Sequence, residues 1–180
     1  MCSTQKTTRL MVRQVRPGLS PSEARLHFGS LVIRATIGKN GVSRSKREGD
    51  GKTPIGGFKL KPGFYRGDRL LRLCCRPGLN LLRSKMGWGD EPWTRVYNRP
   101  VPVDERSGHE LLWREDQAYD LIFPTSHNEN PRVQGKGSAI FFHMARSDYA
   151  GTEGCVAISA ADMRRLLPRL SKQTRLIISA

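Results

Sequence analysis

The sequence predicts a mainly β domain, a sandwich or partly closed barrel with long loops and one short helix near its C-terminal end. Two observations carry this. Short apolar segments of strand length, rich in β-branched and aromatic residues, recur from Leu10 to Ile178, each beside a Gly, Pro or Asn. Eighteen glycines and eleven prolines spread through the chain interrupt nearly every run long enough for a helix.

Taken in order, the segments are Leu10–Val15, Ala24–Phe28, Leu31–Ile37, Gly57–Leu60, Leu70–Cys75, Tyr119–Phe123, Ala139–His143 and Arg175–Ile178. The Leu70–Cys75 run alternates as a half-buried strand does, which makes Cys74 and Cys75 small packing residues rather than redox or metal groups. The one helix is signalled by Ser159, a capping residue with Asp162 three positions on; Met163, Leu166, Leu167 and Leu170 then share a face, and Pro168 ends or kinks it.

With 180 residues, 37% of them apolar and 26% charged, the chain has the composition of one folded domain. We expect a loose tail over residues 1–8 and a single domain over 9–180, as a monomer. Neither a transmembrane segment nor an apolar stretch of signal-peptide length is found. Thirty-one Lys and Arg against sixteen Asp and Glu give a net charge of +15, which attracts acidic polymers. The basic residues are scattered rather than clustered, so a solvated basic face is expected and a specific nucleic-acid site is not. Cys2 lies in the tail and Cys74 adjoins Cys75, so no disulfide framework can be read.

Gly49-Asp-Gly-Lys-Thr53 copies the end of a phosphate-binding loop but lacks its first glycine, Lys46 standing in that place. Pro54-Ile-Gly-Gly57 then forms a turn into a strand instead of opening a helix. A structural loop is the better reading, with no nucleotide and no other cofactor.

A nucleophile can be read in Ile140-Phe-Phe-His143 followed, after residues 144–154, by Cys155. A thiol with its ordinary pKa of about 8.5 is mostly protonated at neutral pH, and a neighbouring imidazole can take that proton. Gly154 allows a sharp turn, so the amides of Gly154 and Cys155 can face the oxygen of a tetrahedral intermediate. On residues alone, a buried thiol and a packed strand-end histidine are the better reading of the pattern.

The ordered set Gly49-Asp-Gly-Lys-Thr-Pro54-Ile-Gly-Gly-Phe58, Gly87-Trp-Gly-Asp90-Glu-Pro92, Arg95-Val-Tyr-Asn98-Arg99-Pro-Val101, His109-Glu110-Leu-Leu-Trp113-Arg114-Glu-Asp116, Tyr119-Asp120, Gly137-Ser-Ala-Ile-Phe-Phe-His143 and Thr152-Glu-Gly-Cys155-Val-Ala157 resembles the L,D-transpeptidase catalytic domain of the YkuD type. The likeness is to its branch with Thr-Glu-Gly-Cys and a short His-to-Cys loop. It implies an all-β fold and a carbapenem-sensitive acyl transfer on peptidoglycan stem peptides in the periplasm or cell envelope, bearing on wall biogenesis and cell shape. A cysteine attacks the carbonyl of the third, diamino-acid residue, D-alanine leaves, and a second stem's amine or water takes the acyl group.

By the same resemblance Cys155 is the nucleophile, His143 the base, Gly154 and Cys155 the oxyanion-binding backbone, and Met144 supplies the carbonyl that orients the imidazole. Arg95, Asn98, Arg99 and Arg146 are candidates to hold substrate carboxylates. Glu153 stands where the commoner branch has a second histidine and could hold an imidazolium or a substrate amine. Ala157 replaces an Asn or Arg near substrate, so the substrate contacts differ from those of that branch. Asp90, His109 and Glu110 belong to the pattern without an assigned task. Readings from other classes are an L,D-carboxypeptidase on the same substrates, a non-enzymatic basic module, and a metal hydrolase using His127, His143, Cys155 and a carboxylate; no metal-binding spacing supports the last.

Overall fold

The computed structural model describes residues 8–15, 20–71, 73, 75, 77–103 and 108–180. The chain is built on one large curled sheet, a half-barrel, with a single short α-helix. Its strands in chain order are β1 (Arg9–Gln14), β2 (Glu23–Phe28), β3 (Leu31–Thr36), β4 (Val42–Ser43), β5 (Thr53–Pro54), β6 (Gly56–Lys59), β7 (Gly63–Tyr65), β8 (Leu79–Leu81), β9 (Met86–Gly89), β10 (Pro100–Pro102), β11 (His109–Leu111), β12 (Leu121–Pro124), β13 (Phe141–Met144), β14 (Val156–Ile158) and β15 (Arg175–Ser179). Ten of them form the main sheet in the order β6-β15-β1-β2-β3-β14-β13-β12-β7-β8, while β10-β9-β11 and β4-β5 make two small sheets.

Alternation along the central strands divides the side chains between two clusters. Leu121, Phe123, Phe142, Met144, Val156 and Ile158 enter the larger one, together with Leu10, Leu26 and Leu176 from strands farther along the sheet. Ile122, Phe141 and Cys155 enter a second cluster with Trp88, Leu112 and Tyr119. Because strand side chains alternate with period two, His143 and Ala157 project to the same side as Phe141 and Cys155. That side carries the site.

The helix α1 (Ala160–Leu166) is capped as the sequence predicts, Ser159 Oγ accepting from the Asp162 amide at 3.0 Å. A 3-10 turn over Leu167–Arg169 takes in Pro168. Met163, Leu166, Leu167 and Leu170 are all buried against the larger cluster. Burying a side chain of this kind contributes roughly 1.5–3 kcal/mol, so this small helix is held by packing more than by its own propensity.

One segment differs from expectation. Leu70, Leu71, Leu73 and Cys75 carry no strand, and Arg72 and Cys74 lie outside the described residues. A turn in which the Leu70 amide donates to the Arg66 carbonyl at 2.8 Å enters this stretch, and Pro77-Gly78 leaves it, so alternation finds no ladder there. Of the expected tail only Thr8 is described, and its carbonyl accepts from the Arg175 amide at 2.8 Å.

Candidate active site

Parallel pairing of β13 with β14 sets Phe142 opposite Val156 and His143 opposite Ala157. One register step back, the Phe141 amide donates to the Cys155 sulfur at 3.3 Å. His143 and Cys155 thus stand on the same side of adjacent strands. Both open into one cleft of about 390 Å³, whose lining also includes Glu48, Asp90, Glu110, Arg114 and Tyr119.

The turn before Cys155 is fixed by two threonines. Thr152 exchanges backbone hydrogen bonds with the end of β3, its amide donating to the Ile37 carbonyl at 2.9 Å and its carbonyl accepting from Lys39 at 2.8 Å. Its hydroxyl donates to the Cys155 carbonyl at 2.7 Å and accepts from the Gly154 amide at 3.1 Å. From the loop that superficially copies a phosphate site, the Thr53 hydroxyl donates to the same Cys155 carbonyl at 3.4 Å and accepts from Gly38 at 2.8 Å.

Gly154 is required here. Its φ is +142°, and a Cβ would stand 2.8 Å from the Lys52 carbonyl oxygen, with the buried Lys46 ammonium also near. The Gly154 amide is already given to Thr152, which leaves the Cys155 amide as the better candidate oxyanion donor.

Two neutral groups face the cleft. The Cys155 thiol donates to the Ala139 carbonyl at 3.1 Å. Burial pushes its pKa up to about 12, the negative charge of Glu110 adding to this while the Phe141 amide, Tyr119 and Lys46 act the other way. For His143, burial pushes the pKa down to about 4, although the Met144 and Ala118 carbonyls favour the charged form. His143 Nδ1 lies 2.8 Å from the Met144 carbonyl oxygen. A carbonyl can only accept, so Nδ1 carries the proton and Nε2 keeps its lone pair. Among the described residues no hydrogen bond joins Cys155 to His143.

The carboxylate-binding candidates separate on inspection. Arg146 lines the cleft and pairs with Asp116 at 3.1 Å. Arg95 and Arg99 are exposed and do not line it. Asn98 is buried and fully engaged: its oxygen accepts from Trp88 Nε1 at 3.0 Å and Ala139 N at 3.2 Å, and its amide nitrogen donates to the His127 and Asn128 carbonyls. It braces the segment that carries Ala139. Glu153 lines the cleft, largely exposed, and pairs with Lys39 at 2.7 Å.

His127 does not line the cleft; its ring is edge-on to Phe58 and its Nε2 is 2.9 Å from the Lys136 carbonyl oxygen. Among the described residues no cluster of three or more His, Cys, Asp or Glu side chains has the arrangement of a metal site. No helix among them is long and apolar enough to cross a membrane.

Sequence reading passed over Glu48, Thr152 and Tyr119 as site residues and left Asp90 and Glu110 without a task. Tyr97 donates to Glu48 at 2.5 Å, and Tyr119 donates to Glu110. Burial raises the pKa of both Asp90 and Glu110. The only sequence signal for Asp90, Glu110, Tyr119 and Thr152 was their place in the ordered pattern, and Glu48 lies just before it; segments distant along the chain bring these groups together.

Comparison with known proteins identifies the family. A family model described as the L,D-transpeptidase catalytic domain, YkuD, matches residues 20–178. No curated protein sequence matches the chain. Among solved structures, the chain is similar to Bdellovibrio bacteriovorus Bd1075, with TM-score 0.48 and 15% identity over 98% of this chain and 50% of that one. It is also similar to the helical cell shape determining protein Pgp2 from Campylobacter jejuni, with TM-score 0.47 and 11% identity over 96% of this chain and 47% of that one. The chain therefore spans about half the length of these solved structures.

Proposed function

The chain belongs to the YkuD family of L,D-transpeptidase catalytic domains, and from that premise we propose that it is a cysteine acyltransferase acting on peptidoglycan stem peptides, with Cys155 as nucleophile and His143 as base. Membership implies an L,D-transpeptidase-family function on peptidoglycan. The observation that carries the residue assignment is the placement of thiol and imidazole on the same side of β13 and β14, in one cleft.

In the proposed reaction the sulfur attacks the carbonyl of the third stem residue and its proton passes to Nε2 of His143. The carbon–sulfur bond forms, the bond to the terminal D-alanine breaks, and the imidazole returns the proton to the departing amine. A second stem's amine then attacks the thioester, closing a link between two third-position residues and freeing the thiol. The amide of Cys155 faces the developing oxyanion. Since Nδ1 is held by Met144, the proton acceptor is Nε2 in every turnover.

The cleft differs in sign from the molecule around it. In a chain of net charge +15, Glu48, Asp90, Glu110 and Glu153 line the cleft with Arg114 and Arg146. Carboxylates beside guanidinium groups suit stem peptides that carry both an amine and carboxylates; they do not suit a polyanion lying in the cleft. This favours an enzyme over a basic binding module.

Incubation with disaccharide tetrapeptide, followed by mass spectrometry, tests the assignment. Dimers that have lost D-alanine are expected from the wild type and absent from Cys155→Ala; monomers shortened by D-alanine, without dimers, would assign hydrolysis instead. A carbapenem should acylate the wild type at Cys155 and leave the alanine variant unmodified.

A further inference from the structure

Tyr119 touches both halves of the proposed catalytic pair, and the acyl transfer as written gives it no task. The residue sits just before β12 and is buried. Its ring meets the His143 imidazole edge-on, centroids 5.0 Å apart and planes at 83°. It meets Phe141 in the same manner at 5.7 Å. Its hydroxyl donates to Glu110 Oε1 from a position beside the Cys155 thiol. Glu110, Tyr119, His143 and Cys155 all line the cleft.

A buried carboxylate is an unfavourable neighbour for a thiol that must become an anion, because like charges at low dielectric oppose one another. A phenol between the two can donate to either. Of the groups that face the thiol, Glu110 opposes its ionisation, while Tyr119, Lys46 and the Phe141 amide favour it. The phenol in turn faces Glu110, Cys155 and Arg114, whose guanidinium carbon lies 5.0 Å from its ring centroid. His143 contributes an imidazole held neutral by burial.

We infer that Tyr119 is a positioning residue of this site: its ring fixes the plane of His143, and its hydroxyl turns from Glu110 to the Cys155 sulfur as the thiolate forms. The inference rests on Cys155 being the nucleophile of the proposed reaction. The thiol proton goes to His143 Nε2, and the phenol keeps its own proton throughout. Glu110 gives up one accepted hydrogen bond, so no proton enters or leaves the tyrosine–glutamate pair.

Iodoacetamide alkylation, read at Cys155 by peptide mass spectrometry, tests this without any substrate. At pH 8.5, Tyr119→Phe keeps the ring and is expected to slow alkylation at least threefold, whereas Glu110→Gln removes the opposing charge and is expected to speed it at least threefold. With tetrapeptide, Tyr119→Phe should lower kcat about tenfold and leave KM within about twofold, since the phenol acts on the nucleophile and not on substrate. Alkylation of Tyr119→Phe at the wild-type rate would overturn the inference. If that variant does not fold, 3-fluorotyrosine placed at position 119 decides: its stronger phenol donor speeds alkylation if the inference holds, and an unchanged rate overturns it. A failed acyltransferase reading shows itself separately, as wild-type protein that makes no product whatever its alkylation rate.

Discussion

The Cys155 thiol donates its hydrogen bond to the Ala139 carbonyl, 3.1 Å away, and not to His143. The resting pair is therefore thiol and neutral imidazole rather than thiolate and imidazolium, consistent with burial pushing the one pKa up to about 12 and the other down to about 4. In the proposed reaction, a substrate carbonyl entering the cleft draws the sulfur from Ala139 as His143 takes its proton. At pH 7.5 without substrate, Cys155 in the folded protein should react with iodoacetamide at least tenfold more slowly than in the denatured chain. Equal or faster reaction would mean a preformed thiolate.

His143 also sets an acid limit on stability. Its folded pKa of about 4 lies below the ordinary 6.5, so the fold favours the neutral form. That contribution is complete above about pH 6.5 and is lost as the pH falls toward 4, where the unfolded chain binds the extra proton first. It amounts to about 3 kcal/mol at most. Denaturant titrations at pH 7.5 and 4.5 should show a larger acid loss for wild type than for His143→Gln.

Gly154→Ala should cost about 1–3 kcal/mol and nearly all activity, because the new Cβ meets the Lys52 carbonyl oxygen at 2.8 Å and the backbone keeps a positive φ. Thermal unfolding and tetrapeptide turnover measure the two effects. A variant as stable and active as wild type would show that this turn is not tightly specified.

Asn98 and Arg146 should separate cleanly. Asn98→Ala leaves the Trp88 indole N–H and the Ala139 amide without their acceptor and is expected to cost about 2–4 kcal/mol, lowering the unfolding temperature and kcat together. Arg146→Ala removes a half-exposed guanidinium from the cleft rim, so KM should rise roughly threefold to tenfold with little change in stability.

The central sheet was legible because burial alternates along its strands. Leu10–Val15, Ala24–Phe28, Leu31–Ile37 and Arg175–Ile178 lie within a residue of the observed elements, and Ser159 caps its helix as read. The small sheet of β9, β10 and β11 was not legible as strands: Met86–Gly89 is half glycine and Pro100–Pro102 begins and ends on proline, both poor strand formers outside their tertiary setting. The Leu70–Cys75 run shows the opposite error, alternation with no partner strand. At the candidate site, the turn at Gly154 and the strand that ends near His143 were legible locally. The internal hydrogen bonds of Asn98 were not legible, because a buried carboxamide and an exposed one look alike until their partners are known. Tyr119 stayed without a role because it meets His143 and Glu110 only across strands.

The most direct test of the central claim is intact-protein and peptide mass spectrometry of the chain mixed with disaccharide tetrapeptide and quenched early. A mass increase of one substrate less D-alanine, mapped to Cys155 and absent from Cys155→Ala, is the predicted result. D-Alanine released equally by wild type and Cys155→Ala, with no adduct on Cys155, would contradict it.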